Sequence, residues 1–420
     1  MSGLETKRRK KSVKIATSVE SDLFENELEI TSNSDSSDVE WVLSESEQQI
    51  ASNSDSSDVA WVLSQNEQEI ASNSDSSDVE ENPIIQNITD FLWENKSADY
   101  EPTFFPLLTN SGICDGILEE NPTEYDCFVA SIQPKFITHI TSKTNNFHTF
   151  IVNTKTSEEN SKIHKWVTTD NEVYVFLAIT MLFTHMNKNE WKDYWSTDLL
   201  IGTPIFGKIM SQDRFSLLLR MLHFSDNNEL HVGDKLQKIR PIIELLRSRF
   251  KASMKPFKDL CIDESIVPWK GRLSFKQYIP SKRHRFGIKL FVLCDVETGF
   301  ILDFIVYTGS STEINNIAGL GISGSITTTL LEPHLDKGHT IYYDNWYSSP
   351  HLSSYLLMRN TGSCGTIKYN RKGMPKNFPN KMKKGEIEMR NTKKMMVIKW
   401  HDKRDILTTV HKNEIKDTGK

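Results

Sequence analysis

The hydrophobic pattern of the chain changes twice, near residue 84 and near residue 256. Up to about residue 83 apolar residues are sparse and hold neither a helical nor a strand period. Beyond that, Leu, Phe, Met and Ile recur at helical spacing. "NEVYVFLAITMLF" (171–183), "DRFSLLLRMLHF" (213–224) and "PIIELLRSRFKASM" (241–254) each predict a helix, the last opened by a proline. Residues 84–255 therefore read as mainly helical. Trp191 and Trp195 lie four apart and fit core packing.

After residue 256 the runs shorten and become strand-like. "DLCIDESIV", "GIKLFVLCD" (287–295) and "GFILDFIVYTG" (299–309) predict strands, the last two joined as a hairpin with Gly299 in its turn. "HTIYYDNWYSSP" (339–350) predicts another strand ending at Asp344. "SPHLSSYLLMRN" then reads as a helix started by Ser349 and Pro350. "GTIKY" and residues 394–411 are again strand-like. Strands, a helix and further strands predict an α/β core with a mixed sheet.

The N-terminal part repeats with period 20. "SNSDSSDV" occupies 32–39, 52–59 and 72–79, and "WVLS" follows the first two copies. Such units bury too little apolar area to offset their ordering entropy, so 21–83 reads as disordered. Two uses stay open for it: an acidic segment that binds a nuclear protein, or a solubilising tail. Several of its serines precede an acidic residue by three positions, as acid-directed phosphorylation requires.

Charge is segregated. Residues 21–81 hold 17 acidic residues and no Lys or Arg, whereas residues 359–420 hold 17 basic and 6 acidic residues. A basic tail suits a polyanion partner, although a solvated basic face explains the same charge. "KRRKK" (7–11) resembles a nuclear localisation signal, which makes the nucleus the expected location. Five scattered cysteines without a C-x-x-C predict no structural zinc and a reducing compartment. "VYVFLAITMLF" (173–183), the longest apolar run, is too short to span a bilayer, so no membrane partner is expected.

The chemistry centres on two acids. Asp263 interrupts an apolar strand, and Asp344 ends a later one just before a helix. Sites in α/β sheets favour the carboxyl ends of strands. If the two strands are parallel neighbours, both carboxylates face one site and offer hard oxygen ligands for Mg²⁺ or Mn²⁺. Taken singly, Asp263 also fits a salt bridge to Lys270 or Arg272, and Asp344 fits a turn. Strand alternation points Glu264 away from Asp263. Lys270, Arg272, Lys276, Lys282, Arg283, Arg285 and Lys289 crowd this region among Trp269, Phe275, Tyr278 and Phe286. That mixture suits phosphate contact and base stacking, and also a solvated hairpin.

"IDESIVPWKGRLSFKQYIPSKRHRFGIKLFVLCDVETG" resembles the first catalytic block of piggyBac-type transposases, and "YYDNWYSSPHLSSYLL" resembles the second. "MLHFSDN", "DKLQKIRP" and "WHDKRDILTTVH" follow the family's order, so the resemblance covers about 84–411. It implies an RNase H-like core with three catalytic aspartates, which cuts and joins DNA with Mg²⁺ or Mn²⁺. Asp263 matches the first aspartate and Asp344 the second. The third, expected near a Gly-Val-Asp motif before a late helix, has no match. Asp402, Asp405 and Asp417 do not fit it, and the family's cysteine-rich zinc domain is missing. Arg283 stands where relatives often carry proline.

The expectation is thus an α/β protein with an incomplete RNase H-like core, preceded by a mainly helical domain and a disordered acidic N-terminal region. Its parts are a basic segment (1–20), acidic repeats (21–83), a helical dimerisation and DNA-binding region (84–255), the first part of the core (256–358) and a basic strand-rich insertion (359–420). The expected function is transposase-derived DNA binding with catalysis lost in this chain for want of the third aspartate. The alternative is a nuclear interaction protein acting through the acidic repeats. Expected partners are double-stranded DNA, a second copy of the chain or an intact transposase, and a nuclear protein on the repeats.

Overall fold

The computed structural model describes residues 91–95, 100, 101, 103–154, 166–227, 233–280, 282 and 285–410. The acidic repeats, the basic run at 7–11, Arg283 and Asp417 lie outside them. The described residues form two units. One spans Ile113–Ser253; the other joins the residues up to Gly112 with Met254 onward.

The first unit is helical. Its helices are α1 (Glu124–Ser131), α2 (Pro134–Thr154), α3 (Asp170–Phe183), α4 (Pro204–Ile209), α5 (Gln212–Met221) and α6 (Arg240–Ser253). The described residues between 91 and 122 contain no helix, and the helices of this stretch begin at Glu124. Helix starts follow local chemistry. Thr123 and Asp126 form a reciprocal capping box, and Thr169 and Ser211 cap α3 and α5.

An aromatic core fills this unit. Phe176 stacks on Phe215 at 4.9 Å, and Trp195 donates its indole N–H to the Met210 carbonyl at 2.7 Å. Trp191 and Trp195 lie in a 3₁₀ turn rather than an α-helix and meet edge to face at 6.2 Å. α3 and α5 are joined by a two-pronged ion pair, Arg214 Nε and Nη2 donating to Glu172 at 2.5 and 2.6 Å. The guanidinium also lies 4.9 Å from the buried Trp166 ring.

The second unit is a mixed ten-stranded sheet. Its strands are β1 (Glu94–Asn95), β2 (Asp259–Pro268), β3 (Gln277–Tyr278), β4 (Phe286–Asp295), β5 (Ile301–Val306), β6 (Thr340–Tyr343), β7 (Gly362–Thr366), β8 (Ile387–Asn391), β9 (Met396–His401) and β10 (Asp405–Val410). Neighbours run β1-β8-β9-β10-β7-β6-β2-β4, with β3 and β5 both on β4. β4 is antiparallel to both of its neighbours β2 and β5, while β6 is parallel to β2 and β7 parallel to β6. The 394–411 stretch divides into β9 and β10, a hairpin.

Helices α7 (Gly321–Leu331) and α8 (Pro350–Met358) contribute to the same core as the sheet. Leu260, Ile262, Leu293 and Ile341 from strands are buried with Ile326, Leu330, Leu352 and Leu356 from helices. Each such side chain contributes about 1.5–3 kcal/mol on burial. The hairpin between β4 and β5 is closed by the fully buried Asp295. Its carboxylate accepts from the Phe257 and Thr298 amides and the Thr298 hydroxyl at 2.7–2.9 Å. Gly299 takes the left-handed conformation that this turn needs (φ 74°).

Candidate active site at two neighbouring strand ends

β6 is hydrogen-bonded in parallel beside β2, with Tyr343 in register with Ile262. Asp344 follows Tyr343, and Asp263 follows Ile262. The two acids therefore stand at one level on strands about 4.8 Å apart. β6 ends there while β2 runs on to Pro268.

Both carboxylates are exposed, as a water-accessible site requires. Asp263 Oδ1 accepts from the Glu264 amide at 2.8 Å. Asp344 Oδ1 accepts from the Trp346 amide at 2.8 Å, and its carbonyl accepts from the Ser348 amide at 3.2 Å. These bonds fold the turn after β6. Ser349 then accepts from Leu352 N–H and starts α8 with Pro350 in its first turn. The sequence signals for a turn and for a helix start are thus both real here, and neither conflicts with a ligand role for Asp344.

Glu264 points to the other face. In antiparallel register it pairs with Phe291, while Asp263 pairs with Val292. Its Oε2 is buried without a hydrogen bond, and so is the Tyr347 hydroxyl. Burial, and then the charge of Glu264, push the Tyr347 phenol far above its ordinary value. Cys261 is likewise pushed up to about 11 by burial and by Asp263, so it stays a thiol.

Lys289 lies two residues from Phe291 on this same face, opposite Ile266. Its ammonium is 4.8 Å from the Phe291 ring and 4.9 Å from the Trp346 ring. Burial lowers its proton affinity, and Glu264, Asp344 and Asp263 act in the opposite direction.

A second basic group borders Asp344. Arg371 Nη2 donates to the carbonyls of Asn345 and Trp346 at 3.1 and 2.5 Å. A cavity of about 410 Å³ is lined by Trp346, Lys368, Asn370, Arg371 and Lys372. Arg371 Nε is buried there without a hydrogen bond. Sequence reasoning did not single out these residues. Their only signal was the excess of Lys and Arg after residue 359.

The six basic residues expected at the DNA surface are more dispersed. Lys270, Arg272, Lys282 and Arg285 are exposed in the loops beyond β2 and before β4. Lys276 is half-buried, its ammonium 5.2 Å from the Phe286 ring. Arg283 is not described. Of the interleaved aromatics, Phe275 is buried and Tyr278 packs on Phe286 at 4.7 Å, whereas Trp269 is exposed.

Two exposed carboxylates with hard oxygen donors fit a divalent ion that also takes water and phosphate oxygens. Among the described residues no group of three or more His, Cys, Asp or Glu could hold a metal. Asp402 and Asp405 sit at the β9–β10 turn and are engaged elsewhere. Asp402 faces Lys384 at 3.4 Å, and Asp405 pairs with Lys399 at 2.7 Å and His401 at 2.5 Å. All five cysteines are free. Among the described residues no helix is long and apolar enough to cross a membrane.

Residues 123–419 match the family described as Transposase IS4, and the chain belongs to that family of transposase-related proteins. Its piggyBac character is seen in its relatives. PiggyBac transposable element-derived protein 2 of Homo sapiens is 24% identical over 243 residues, which cover 56% of this chain and 41% of that protein. PiggyBac transposable element-derived protein 3 of Homo sapiens is 27% identical over 205 residues, covering 48% and 34%. The chain thus spans less than half the length of these curated relatives. A solved piggyBac transposase, from a synaptic complex with hairpin DNA, shares the fold with a TM-score of 0.65 at 22% identity. That match covers 73% of this chain and 64% of the other.

Proposed function

We propose that this chain is a transposase-derived DNA-binding protein whose sheet is an RNase H-like core. In this reading Asp263 and Asp344 hold a divalent cation against the DNA backbone. The observation that carries it is the level placement of the two acids on parallel neighbouring strands. The order β5-β4-β2-β6-β7, three antiparallel strands followed by two parallel additions, supports the core assignment. The solved relative's complex with hairpin DNA supports the substrate class.

A bound Mg²⁺ or Mn²⁺ would polarise a phosphodiester and lower the pKa of a bound water. The protein's own groups hold and orient. Asp263 and Asp344 supply the anionic oxygens. Lys368, Arg371 and Lys372 line one cavity with Trp346, two residues beyond Asp344, and suit phosphate oxygens. Lys270, Arg272, Lys276, Lys282 and Arg285 extend a basic surface in the loops past β2. The basic run at 7–11 supports a nuclear location.

Duplex-DNA binding by the full chain, titrated against salt with and without Mg²⁺, tests this. Affinity should fall steeply with salt. Mg²⁺ should strengthen binding, and Asp263→Asn/Asp344→Asn should remove that gain. A folded chain that fails to bind duplex DNA at low salt overturns the proposal.

A further inference from the structure

We propose that the last acidic repeat of this chain, with Asp75, Asp78, Glu80 and Glu81, docks on the basic cavity lined by Trp346, Lys368, Asn370, Arg371 and Lys372 and competes there with DNA. The docking contact stands on its own. The competition rests on the DNA-binding reading above.

Position comes first. Phe91 lies edge to face on His351 at 5.3 Å and directly against Gly373, where a Cβ would meet its ring at 2.9 Å. Trp93 donates its indole N–H to the Gly373 carbonyl at 2.7 Å and packs on the cluster that contains Ile367, Met374 and Phe378. Glu94 and Asn95 then pair with β8 at the sheet edge. Gly373 follows Lys372, which lines the cavity. Ring packing, an indole hydrogen bond and strand pairing thus hold Phe91 beside the basic loop.

Length and charge are the second observation. Ten positions separate Glu81 from Phe91, at most about 36 Å of chain. The acids of the last repeat are therefore tied close to the cavity, although they lie outside the described residues. Residues 21–81 hold 17 acidic residues and no Lys or Arg. On the cavity's side Lys368 and Lys372 are exposed, and Lys376 is exposed a turn further on. Covalent linkage makes the encounter intramolecular, so a weak contact between such surfaces outcompetes the same acidic segment free in solution. A carboxylate meets a Lys or Arg through the same charge-assisted hydrogen bonds as a phosphate, so acids and DNA cannot share the cavity.

The test uses the full chain, with folding checked by circular dichroism. Carbodiimide cross-linking joins a carboxylate to a lysine amine that it touches, and mass spectrometry of an equal mixture of isotopically light and heavy chains reads which residues are joined and whether they belong to one molecule. Cross-links from Asp75, Asp78, Glu80 or Glu81 to Lys368 or Lys372 within one chain are expected, and added salt should suppress them. Asp75→Asn/Asp78→Asn/Glu80→Gln/Glu81→Gln should lose them and bind duplex DNA at least about fivefold more tightly at low salt, a gain that shrinks as salt rises. Absence of these cross-links in the parent chain overturns the proposal, and so do cross-links found only between light and heavy chains. Equal DNA affinity of the two proteins overturns the competition. Absence of DNA binding by both overturns the DNA reading, while the cross-links still decide the docking contact.

Discussion

Phe291 and Trp346 stack face to face, 5.5 Å between ring centroids and 12° between planes. One belongs to β4 and the other to the turn after Asp344. The stack therefore ties the strand facing Asp263 and Glu264 to the loop that carries the second acid. Tyr347 meets Trp346 edge to face at 4.8 Å and is fully buried, which anchors the same turn from below.

Trp346→Ala removes this stack and one wall of the cavity beside Asp344. We expect a loss of about 2 kcal/mol in urea unfolding, below the cost of truncating a fully buried Trp because Trp346 is only half-buried. Trp346→Phe should recover most of it. Equal midpoints for Trp346→Ala and the parent would show that the stack does not hold the turn.

Gly365 on β7 lies against Tyr343 of β6. A Cβ there would meet the Tyr343 carbonyl oxygen at 2.3 Å and its ring at 2.4 Å. Gly365→Ala must push β6 and β7 apart next to Asp344, a backbone shift that costs roughly 1–3 kcal/mol. A lowered midpoint together with loss of the Mg²⁺ effect on DNA binding is expected. An unchanged midpoint would mean that the strands tolerate the displacement.

Ser349 caps α8 through the Leu352 N–H at 3.1 Å. Ser349→Ala should cost about 1 kcal/mol of stability, and Ser349→Asp should restore it. Chemical denaturation of the three proteins decides.

Lys368→Ala/Arg371→Ala should weaken duplex-DNA binding and flatten its salt dependence by about one unit of slope per lost phosphate contact. Arg371 also braces the Asn345 and Trp346 carbonyls, so a lone Lys368→Ala serves as the cleaner comparison. A parallel salt slope in all three proteins would take the cavity out of the DNA surface.

The Glu172–Arg214 pair gives a pH signature in the helical unit. Burial raises the Glu172 pKa, but the hydrogen bonds from Arg214 and Thr168 outweigh it and hold the carboxyl below its ordinary value. Its folded value lies below the unfolded one, about 4.3. The stabilisation is therefore present above that range and is lost as pH falls through the folded value. Arg214→Leu should lower the urea midpoint clearly at neutral pH and less in acid. A gap that is constant with pH would remove the charge from the explanation.

Much of this was legible along the chain. Helices α3, α5 and α6 announce themselves because their apolar residues recur at one helical period, and Ser349-Pro350 is a local start signal for α8. Helix α2 is harder to read. Its inner face uses Thr141, Thr144 and His148 beside Ile137 and Ile140. Asn145 exchanges two hydrogen bonds with the Thr168 backbone at 2.9 Å, a stabilisation that no hydrophobic period reports. Polar residues satisfied by distant partners leave no pattern in the local sequence.

The same division holds at the site. The sequence by itself determined that two acids sit at or inside apolar strands, that a helix begins after the second, and that basic residues gather late in the chain. Local periodicity and capping chemistry suffice for that, because their causes lie within a few residues. Only the tertiary structure decided that β2 and β6 are parallel neighbours with Asp263 and Asp344 at one level, and that Glu264 turns into a buried face. It alone brought Lys289 beside the Phe291–Trp346 stack, and Arg371 against the Asn345 and Trp346 carbonyls. Strand order and register arise from packing between segments 19 to 81 residues apart. One sequence read along its length carries no local term for such contacts.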